Sequence, residues 1–174
     1  MQVSDQDHIW ISFFDEGTTG GDDLGVEGLV CLRPDGQPLL RYNQVARRQQ
    51  LPSIIDAYAV NVGSADEVWI CYYRDFPLVR LKGLTIDRAW TEFPVVFATA
   101  LAADEKRVLL ARPFNGGLLS DELFLVSLSD MGVEELRAVS PEGRGIEFFR
   151  SHGRGSRLYL ETRDALYSLQ LGDM

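Results

Sequence analysis

The chain has few residues of the kinds that hold metals or cross-link a fold. Only two cysteines and two histidines occur among its 174 residues, which argues against a zinc site built from His and Cys ligands. Cys31 and Cys71 both lie inside apolar, strand-like segments. We therefore expect two buried free thiols rather than a disulfide or a metal pair.

Positive charge and long apolar runs are also scarce. The chain has 17 Lys and Arg against 26 Asp and Glu, a net charge of -9, which argues against broad binding to nucleic acid or anionic lipid. No apolar run approaches the roughly 20 residues of a membrane-spanning helix. The first residues are polar and acidic, unlike a secretory signal. These features predict a cytoplasmic protein with neither a membrane nor a nucleic-acid partner.

Common catalytic signatures are missing from the sequence. It contains neither a Gly-x-Ser-x-Gly nucleophile elbow nor a glycine-rich phosphate loop that ends in Gly-Lys-Ser/Thr. The glycine pairs Gly143/Gly145 and Gly153/Gly155 lack the third glycine of the dinucleotide fingerprint. An enzyme is less expected for this reason.

Helical periodicity is nearly absent, and turn signals divide the chain instead. Arg33-Pro34-Asp35-Gly36 is one such signal. The segments between the turns are rich in β-branched and aromatic residues, which favour strands. The one helix candidate is 43–50, but its short length and the following Leu51-Pro52 disfavour a stable helix there.

Similar strand units recur every 40 to 59 residues along the chain, which is typical of a repeat architecture. About four strands per unit indicate propeller blades. The pattern predicts 14 strands in two complete and two incomplete blades. The complete blades have strands at 55–62, 67–73, 78–81 and 85–90, and at 96–102, 107–112, 123–128 and 133–139. The first blade lacks its innermost strand (8–14, 28–32, 38–42), and the last lacks its outermost (146–152, 157–162, 165–171).

Three stretches of one complete blade carry a family resemblance. The sequence IIDAYAVNV at 54–62, DEVWICYY at 66–73 and FPLV at 76–79 resembles blades of uncharacterised bacterial β-propeller proteins. The Trp-Asp ending of WD40 blades and the kelch double glycine are missing. The resemblance implies an all-β, partial β-propeller, and a β-sandwich or barrel is the alternative. We expect one domain over 1–174, either the C-terminal part of a longer propeller or a protein that associates with itself.

The acidic loop after the first predicted strand is the one candidate metal site. Asp15, Glu16, Asp22 and Asp23 stand among four glycines, and Ca²⁺ accepts such flexible oxygen ligands. The spacing of an EF-hand loop is absent. A solvated acidic loop is therefore the favoured interpretation, and Ca²⁺ is the weaker one.

Polar residues on the innermost strands are candidates for binding because those strands line the channel of a propeller. They are Asp56, Tyr58 and Asn61 in one blade and Glu147 and His152 in another. A carboxylate near a channel mouth can act as a base or bind a metal. The alternative is that Asp56 and Asn61 only hydrogen-bond to blade turns.

Two further groups of side chains have opposite expected environments. Arg144 belongs to an arginine-rich segment, 143–157, that suits phosphate or carboxylate ligands, although solvated turn charges are the favoured interpretation. The aromatic side chains of the blade at 55–90 are expected to pack inside the protein. These are Trp69, Tyr72, Tyr73 and Phe76.

The sequence predicts a non-catalytic binding module with a protein partner or a second copy of itself. Unpaired strand edges and the face that carries the long loops would provide the surface. These loops are 15–27, 43–54, 113–121 and 140–145. The alternative is a propeller-type hydrolase or lactonase that acts on a small sugar-like substrate with a divalent cation. Convergent Asp, Glu, Asn or His side chains in one pocket would favour the enzyme.

Overall fold

A computed structural model describes residues 1–21, 23–64, 67–112 and 119–173. The chain divides into two compact units, Met1–Phe93 (unit 1) and Pro94–Met174 (unit 2). Every strand in both units belongs to an antiparallel sheet whose members follow one another in chain order. Such meanders are the blades of a propeller, so the predicted all-β, propeller-type fold is confirmed.

Unit 1 contains two sheets of four strands each. The first sheet consists of β1 (Gln2–Val3), β2 (Ile9–Ser12), β3 (Leu29–Leu32) and β4 (Pro38–Arg41). The second sheet consists of β5 (Asp56–Val62), β6 (Glu67–Tyr73), β7 (Leu78–Lys82) and β8 (Thr85–Trp90). Helices α1 (Glu16–Thr19) and α2 (Tyr42–Arg48) and a 3₁₀ turn (Gly25–Glu27) lie in the connections.

Unit 2 contains one sheet of four strands and one of three. The first consists of β9 (Ala100–Ala103), β10 (Arg107–Ala111), β11 (Glu122–Ser127) and β12 (Val133–Arg137). The second consists of β13 (Arg150–Arg154), β14 (Arg157–Glu161) and β15 (Leu166–Gln170), followed by a 3₁₀ turn at Leu171–Asp173. The last blade was predicted to have three strands, and this sheet has three among the described residues.

Three expectations about strands and helices were wrong. The first blade does have an innermost strand, β1, which two residues were too few to reveal in the sequence. The predicted strands at 96–102 and 146–152 are shorter and start later, as β9 and β13. Helix α2 forms despite the proline that follows it, because tertiary packing buries Tyr42 and Ala46 against the core of unit 1.

The core of each unit lies between its own sheets. In unit 1, Trp10 of the first sheet and Ile70 of the second belong to one buried cluster. In unit 2, Leu109 and Leu158 do the same. Cys31 and Cys71 are free and buried, as predicted. Among the described residues the longest helix, α2, has 7 residues, and none could span a membrane.

Asn43 of α2 is the buried polar residue that holds the connection between the two sheets of unit 1. It is 3% exposed. Its Nδ2 donates to the main-chain carbonyls of Val26 (2.8 Å) and Ile54 (3.1 Å). Its Oδ1 accepts the N–H of Ile54 at 2.7 Å. One side chain therefore satisfies main-chain groups that water cannot reach.

We expect Asn43→Ala to lower the free energy of unfolding by about 2–4 kcal/mol, because each buried main-chain group left unpaired costs about 1–3 kcal/mol. Urea unfolding measures this change. Gln49→Ala, at the exposed end of the same helix, is the matched control and should change stability by about 0.5 kcal/mol or less. Equal stability of Asn43→Ala and the wild type would contradict this role.

Candidate functional site

The start of β5 anchors the loop that follows β2. The Oδ1 atom of Asp56 accepts the main-chain N–H of Asp15 at 2.5 Å, and the N–H of Ala57 donates to the carbonyl of Phe13 at 3.1 Å. Asp15 has a φ of 52° and a ψ of -118°, a positive-φ conformation outside the αL region that residues other than glycine rarely adopt. The loop therefore reaches β5 in a defined conformation, with Phe14 between these two contacts.

A β-bulge in β5 turns Tyr58 toward this loop. The register between β5 and β6 shifts between Ala57 and Ala59, so Tyr58 has no residue directly opposite it. Bulges commonly redirect a side chain in this way. The ring of Tyr58 meets the ring of Phe14 edge-on, with 5.2 Å between centroids and 78° between planes.

Two aromatic residues from the end of β6 complete the group. The ring centroid of Phe76 lies 5.6 Å from that of Tyr58 and 5.7 Å from that of Tyr73. We call Phe14, Tyr58, Tyr73 and Phe76 the aromatic cluster. Phe76 is buried within it, whereas Phe14 is 52% and Tyr73 is 40% exposed. The expectation that Tyr73 packs inside the protein is therefore wrong, since the strand ends there and turns its ring to solvent.

Carboxylates lie close in sequence to the residues of the aromatic cluster. The pKa of Tyr58 is raised by burial first, and then by the negative charge of Asp56 and by Tyr73. Asp15 and Glu16 follow Phe14 in the sequence, and Asp75 precedes Phe76. All three carboxylates are exposed. Aromatic faces and carboxylates both attract cations. The site is suited to a positively charged group that also offers apolar surface.

The structure does not describe all four predicted metal ligands of the acidic loop. Asp22 lies outside the described residues. Asp15 is tied to Asp56 through its main chain, and the main-chain carbonyl of Asp23 accepts Arg41 Nη1 at 2.7 Å. Among the residues that the structure describes, no three His, Cys, Asp or Glu side chains are placed so that they could hold a metal ion together. A calcium site in this loop stays a prediction.

Two other predicted site residues line a cavity in unit 2. The cavity has a volume of about 570 Å³ and is open to solvent. Arg144 and Glu147 contribute to its wall, and both are exposed. Arg144 also lies 4.0 Å from Glu142. The remaining lining residues are Leu119, Ser140, Gly145, Ile146, Thr162, Arg163, Asp164 and Tyr167.

Glu147 does not lie on a strand, contrary to expectation. The main chain at 145–148 bridges to other segments instead, through Val139 with Gly145 and Ser120 with Phe148. Those bonds keep the segment away from β14 until Phe149, whose N–H donates to the Glu161 carbonyl at 3.0 Å.

The remaining two candidates stand apart from both sites. His152 of β13 stacks on Tyr159, with 5.0 Å between ring centroids and 12° between planes, and it does not line the cavity of unit 2. Asn61 is fully buried opposite Trp69 in the ladder of β5 and β6. Of the candidates on β5, only Asp56 and Tyr58 therefore reach a surface site.

Sequence reasoning did not identify Phe14, Tyr73 and Phe76 as site residues. Their aromatic side chains are indistinguishable in the sequence from those that fill the core, such as the neighbouring Tyr72. The one available signal was position, because Phe14 and Tyr73 each stand where a strand pattern ends. Strand ends and the loops that follow them are where binding residues concentrate.

Comparisons with known proteins give one family and distant structural likenesses. The model of the YxzG family matches residues 29–169. The selenomethionine-substituted virginiamycin B lyase from Staphylococcus aureus is similar at 9% identity and a TM-score of 0.46, over 98% of this chain and 54% of that chain. Dihydro-heme d1 dehydrogenase NirN in complex with DHE is similar at 16% identity and a TM-score of 0.39, over 82% and 29%. No curated protein matches.

The chain thus spans about half the length of the lyase, at 54%, and less than a third of the dehydrogenase, at 29%.

We expect Asp56→Asn to lower the pKa of Tyr58, because the variant removes a negative charge that disfavours the tyrosinate. The pKa should stay above the ordinary 10.0, since burial, the larger cause, is retained. Tyrosine ring ¹³C shifts followed with pH measure it, and Tyr58→Phe assigns the signal. Asp35→Asn, in the turn between β3 and β4, is the control. An unchanged pKa in Asp56→Asn would show that the carboxylate does not act on this ring.

Proposed function

The chain belongs to the YxzG family, and we propose that it is a non-catalytic binding module whose ligand is another protein. The observation that carries this proposal is the aromatic cluster, in which Phe14 is 52% and Tyr73 is 40% exposed. Exposed aromatic side chains grouped on a rigid scaffold are typical of protein-binding surfaces. The rings are held by strands and by the anchored loop, so little conformational freedom would be lost on binding.

The chemistry around the rings supports a basic partner. Burial is the larger cause of the raised pKa of Tyr58, and the negative charge of Asp56 is the second. Asp15 and Asp75 are exposed and stand next to cluster residues in the sequence. The chain as a whole has a net charge of -9, which attracts a basic partner at long range. The ligand is a protein segment that places an Arg or Lys over the rings, next to an apolar side chain.

The same features support the rest of the proposal. Nucleic-acid binding requires an excess of positive charge on the binding surface, and 17 Lys and Arg against 26 Asp and Glu disfavour it. Cys31 and Cys71 are free thiols, which suits a reducing compartment. The module is therefore proposed to work in the cytoplasm, on a protein partner.

Selection from a random peptide library displayed on phage tests this function. We expect the wild type to enrich peptides in which Arg or Lys adjoins an apolar residue. For a synthetic peptide chosen in this way, Phe14→Ala should raise Kd about tenfold or more in calorimetry, since an anchoring aromatic contributes about 1–2 kcal/mol or more. Phe14 is exposed, so the variant should fold normally.

Phe149→Ala is the matched control, since Phe149 is an exposed phenylalanine in unit 2, at 43%. It should bind the peptide as the wild type does. Enrichment of acidic peptides, or equal affinities of Phe14→Ala and the wild type, would contradict the proposal.

A second candidate function is a hydrolase or lactonase for a small sugar-like substrate, and the cavity of unit 2 favours it. Its volume of about 570 Å³ falls within the range of small-molecule sites. Glu147 and Asp164 supply carboxylates, and Thr162 and Tyr167 supply hydroxyl groups. Such groups hydrogen-bond to sugars and can transfer protons. On this alternative a divalent cation such as Ca²⁺ would accompany the substrate.

The response of the melting temperature to Ca²⁺ separates the two candidates. We expect millimolar Ca²⁺ to leave Tm unchanged, as for a module without a cation site. A cation at 100 times its Kd would add about 2.7 kcal/mol of stability and raise Tm by several degrees. The enzyme would be favoured instead if Tm rises with Ca²⁺ in the wild type and Glu147→Gln abolishes that rise. Glu134→Gln, which changes an exposed residue of β12, is the control and should preserve the rise.

A further inference from the structure

A cavity in unit 1 adjoins the aromatic cluster. It has a volume of about 510 Å³, and we call it the arginine cavity. The residues that line it include Arg47, Leu51, Pro52, Ile55, Arg74 and Asp75. The last two stand between Tyr73 and Phe76 of the cluster, and the N–H of Ile55 donates to the carbonyl of Tyr73 at 2.8 Å. The cavity and the cluster therefore share the main chain at 73–76.

Hydrogen bonds hold the apolar wall of the arginine cavity in place. The N–H of Leu51 donates to the carbonyl of Ala46 in α2 at 3.0 Å. The hydroxyl of Tyr72 donates to the carbonyl of Pro52 at 2.9 Å. Leu51 and Pro52 are half-buried, so each still presents apolar surface. A wall fixed in this way is ready for a ligand, and little conformational freedom would be lost on binding.

Two guanidinium groups give this cavity its charge. Arg47 belongs to the last turn of α2 and Arg74 to the connection between β6 and β7, and both are exposed. Within the part of the chain that the structure describes, neither side chain has an ion-pair or hydrogen-bond partner. Asp75 is the one carboxylate among the residues that line the cavity. Two guanidinium groups against one carboxylate favour an anionic ligand, because the planar fork of Arg binds carboxylate and phosphate groups through paired hydrogen bonds.

The lining favours a carboxylate over a phosphate. The negative charge of Asp75 repels a doubly charged phosphate more strongly than a singly charged carboxylate. The apolar surface of Leu51 and Pro52 suits the methylene groups of an Asp or Glu side chain. The ligand group that fits the charge and the wall together is therefore a carboxylate on a short apolar stem.

We propose that the arginine cavity binds an Asp or Glu side chain of the same protein segment that places Arg or Lys over the aromatic cluster. This inference rests on the proposed function and specifies its partner further. Asp56 and the neighbouring carboxylates receive the positive residue of the segment, and Arg47 and Arg74 receive the negative one. Because the main chain at 73–76 belongs to both places, one extended segment spans them. The acidic residue should then stand at one fixed spacing from the basic residue.

Selection from the phage-displayed peptide library, performed on two proteins, tests this inference. Peptides enriched by the wild type should carry Asp or Glu at one recurring distance from the Arg or Lys. The double variant Arg47→Gln/Arg74→Gln should enrich peptides that keep the basic residue and lose the acidic one. An acidic residue that recurs in both selections, or in neither, would overturn the inference. Retention of the basic residue in both selections shows that the proposed function stands by itself.

Calorimetry with a matched pair of synthetic peptides gives the magnitude. One peptide carries the selected glutamate, and the other carries glutamine at that position. Arg47→Gln and Arg74→Gln should each raise the Kd of the glutamate peptide about fivefold and leave the Kd of the glutamine peptide unchanged. Arg48→Gln is the matched control, because Arg48 is the next residue of α2, is also exposed and does not line this cavity. It should bind the glutamate peptide as the wild type does.

The outcomes separate this inference from the proposed function. If Phe14→Ala weakens both peptides while the cavity variants bind them as Arg48→Gln does, the inference is overturned and the binding module stands. An equal loss of affinity for the two peptides in Arg47→Gln and Arg74→Gln would also overturn it. Tighter binding of a phosphoserine peptide than of the glutamate peptide would overturn the choice of a carboxylate. Equal affinities of Phe14→Ala and the wild type would contradict the proposed function and this inference with it.

Discussion

Burial of the central strands on both faces is the constraint on which the rest of this structure depends. All four residues of β3 are buried, as are five of the seven in β6. A single antiparallel sheet cannot shield both of its faces from water, so each blade needs a neighbouring sheet. In unit 1 this need brings Trp10 and Ile70 from different sheets into one apolar cluster. The connections between blades then have to run closely around that core.

The candidate site in unit 1 is a consequence of that packing. The loop after β2 meets the start of β5 because the first sheet packs on the second, and Asp56 and Ala57 hold it there. Phe14 is carried along with the loop and joins aromatic rings from β5 and the end of β6. Carboxylates that satisfy main-chain groups remain close to these rings. Asp56 therefore both anchors the loop and belongs to the candidate site.

The outermost strands of the sheets differ in charge between the two units. Both outer strands of unit 1, β4 and β8, carry charge, and β4 also contains a proline. In unit 2, β12 is strongly charged, whereas β15 is not. An uncharged, exposed strand edge can pair with another strand unless something covers it.

Local sequence patterns predict most of the strands and their grouping, because alternation and turn residues act locally. The predicted strands 67–73 and 85–90 coincide with β6 and β8, and the buried thiols of Cys31 and Cys71 followed from the same patterns. Strand β1 and helix α2 escaped the sequence analysis. Two residues carry no pattern, and seven residues form a helix only when packing stabilises it.

Only the tertiary structure decided which aromatic side chains are exposed. Tyr72 and Tyr73 are neighbours of the same type, yet Tyr72 is fully buried and Tyr73 is 40% exposed. Their environments depend on where β6 ends and on which loop packs against it, and both are set by residues distant in sequence. Asp56 and Tyr58 were recognisable as polar residues on a strand. Their assembly with Phe14 depends on contact between two sheets, which no local pattern encodes.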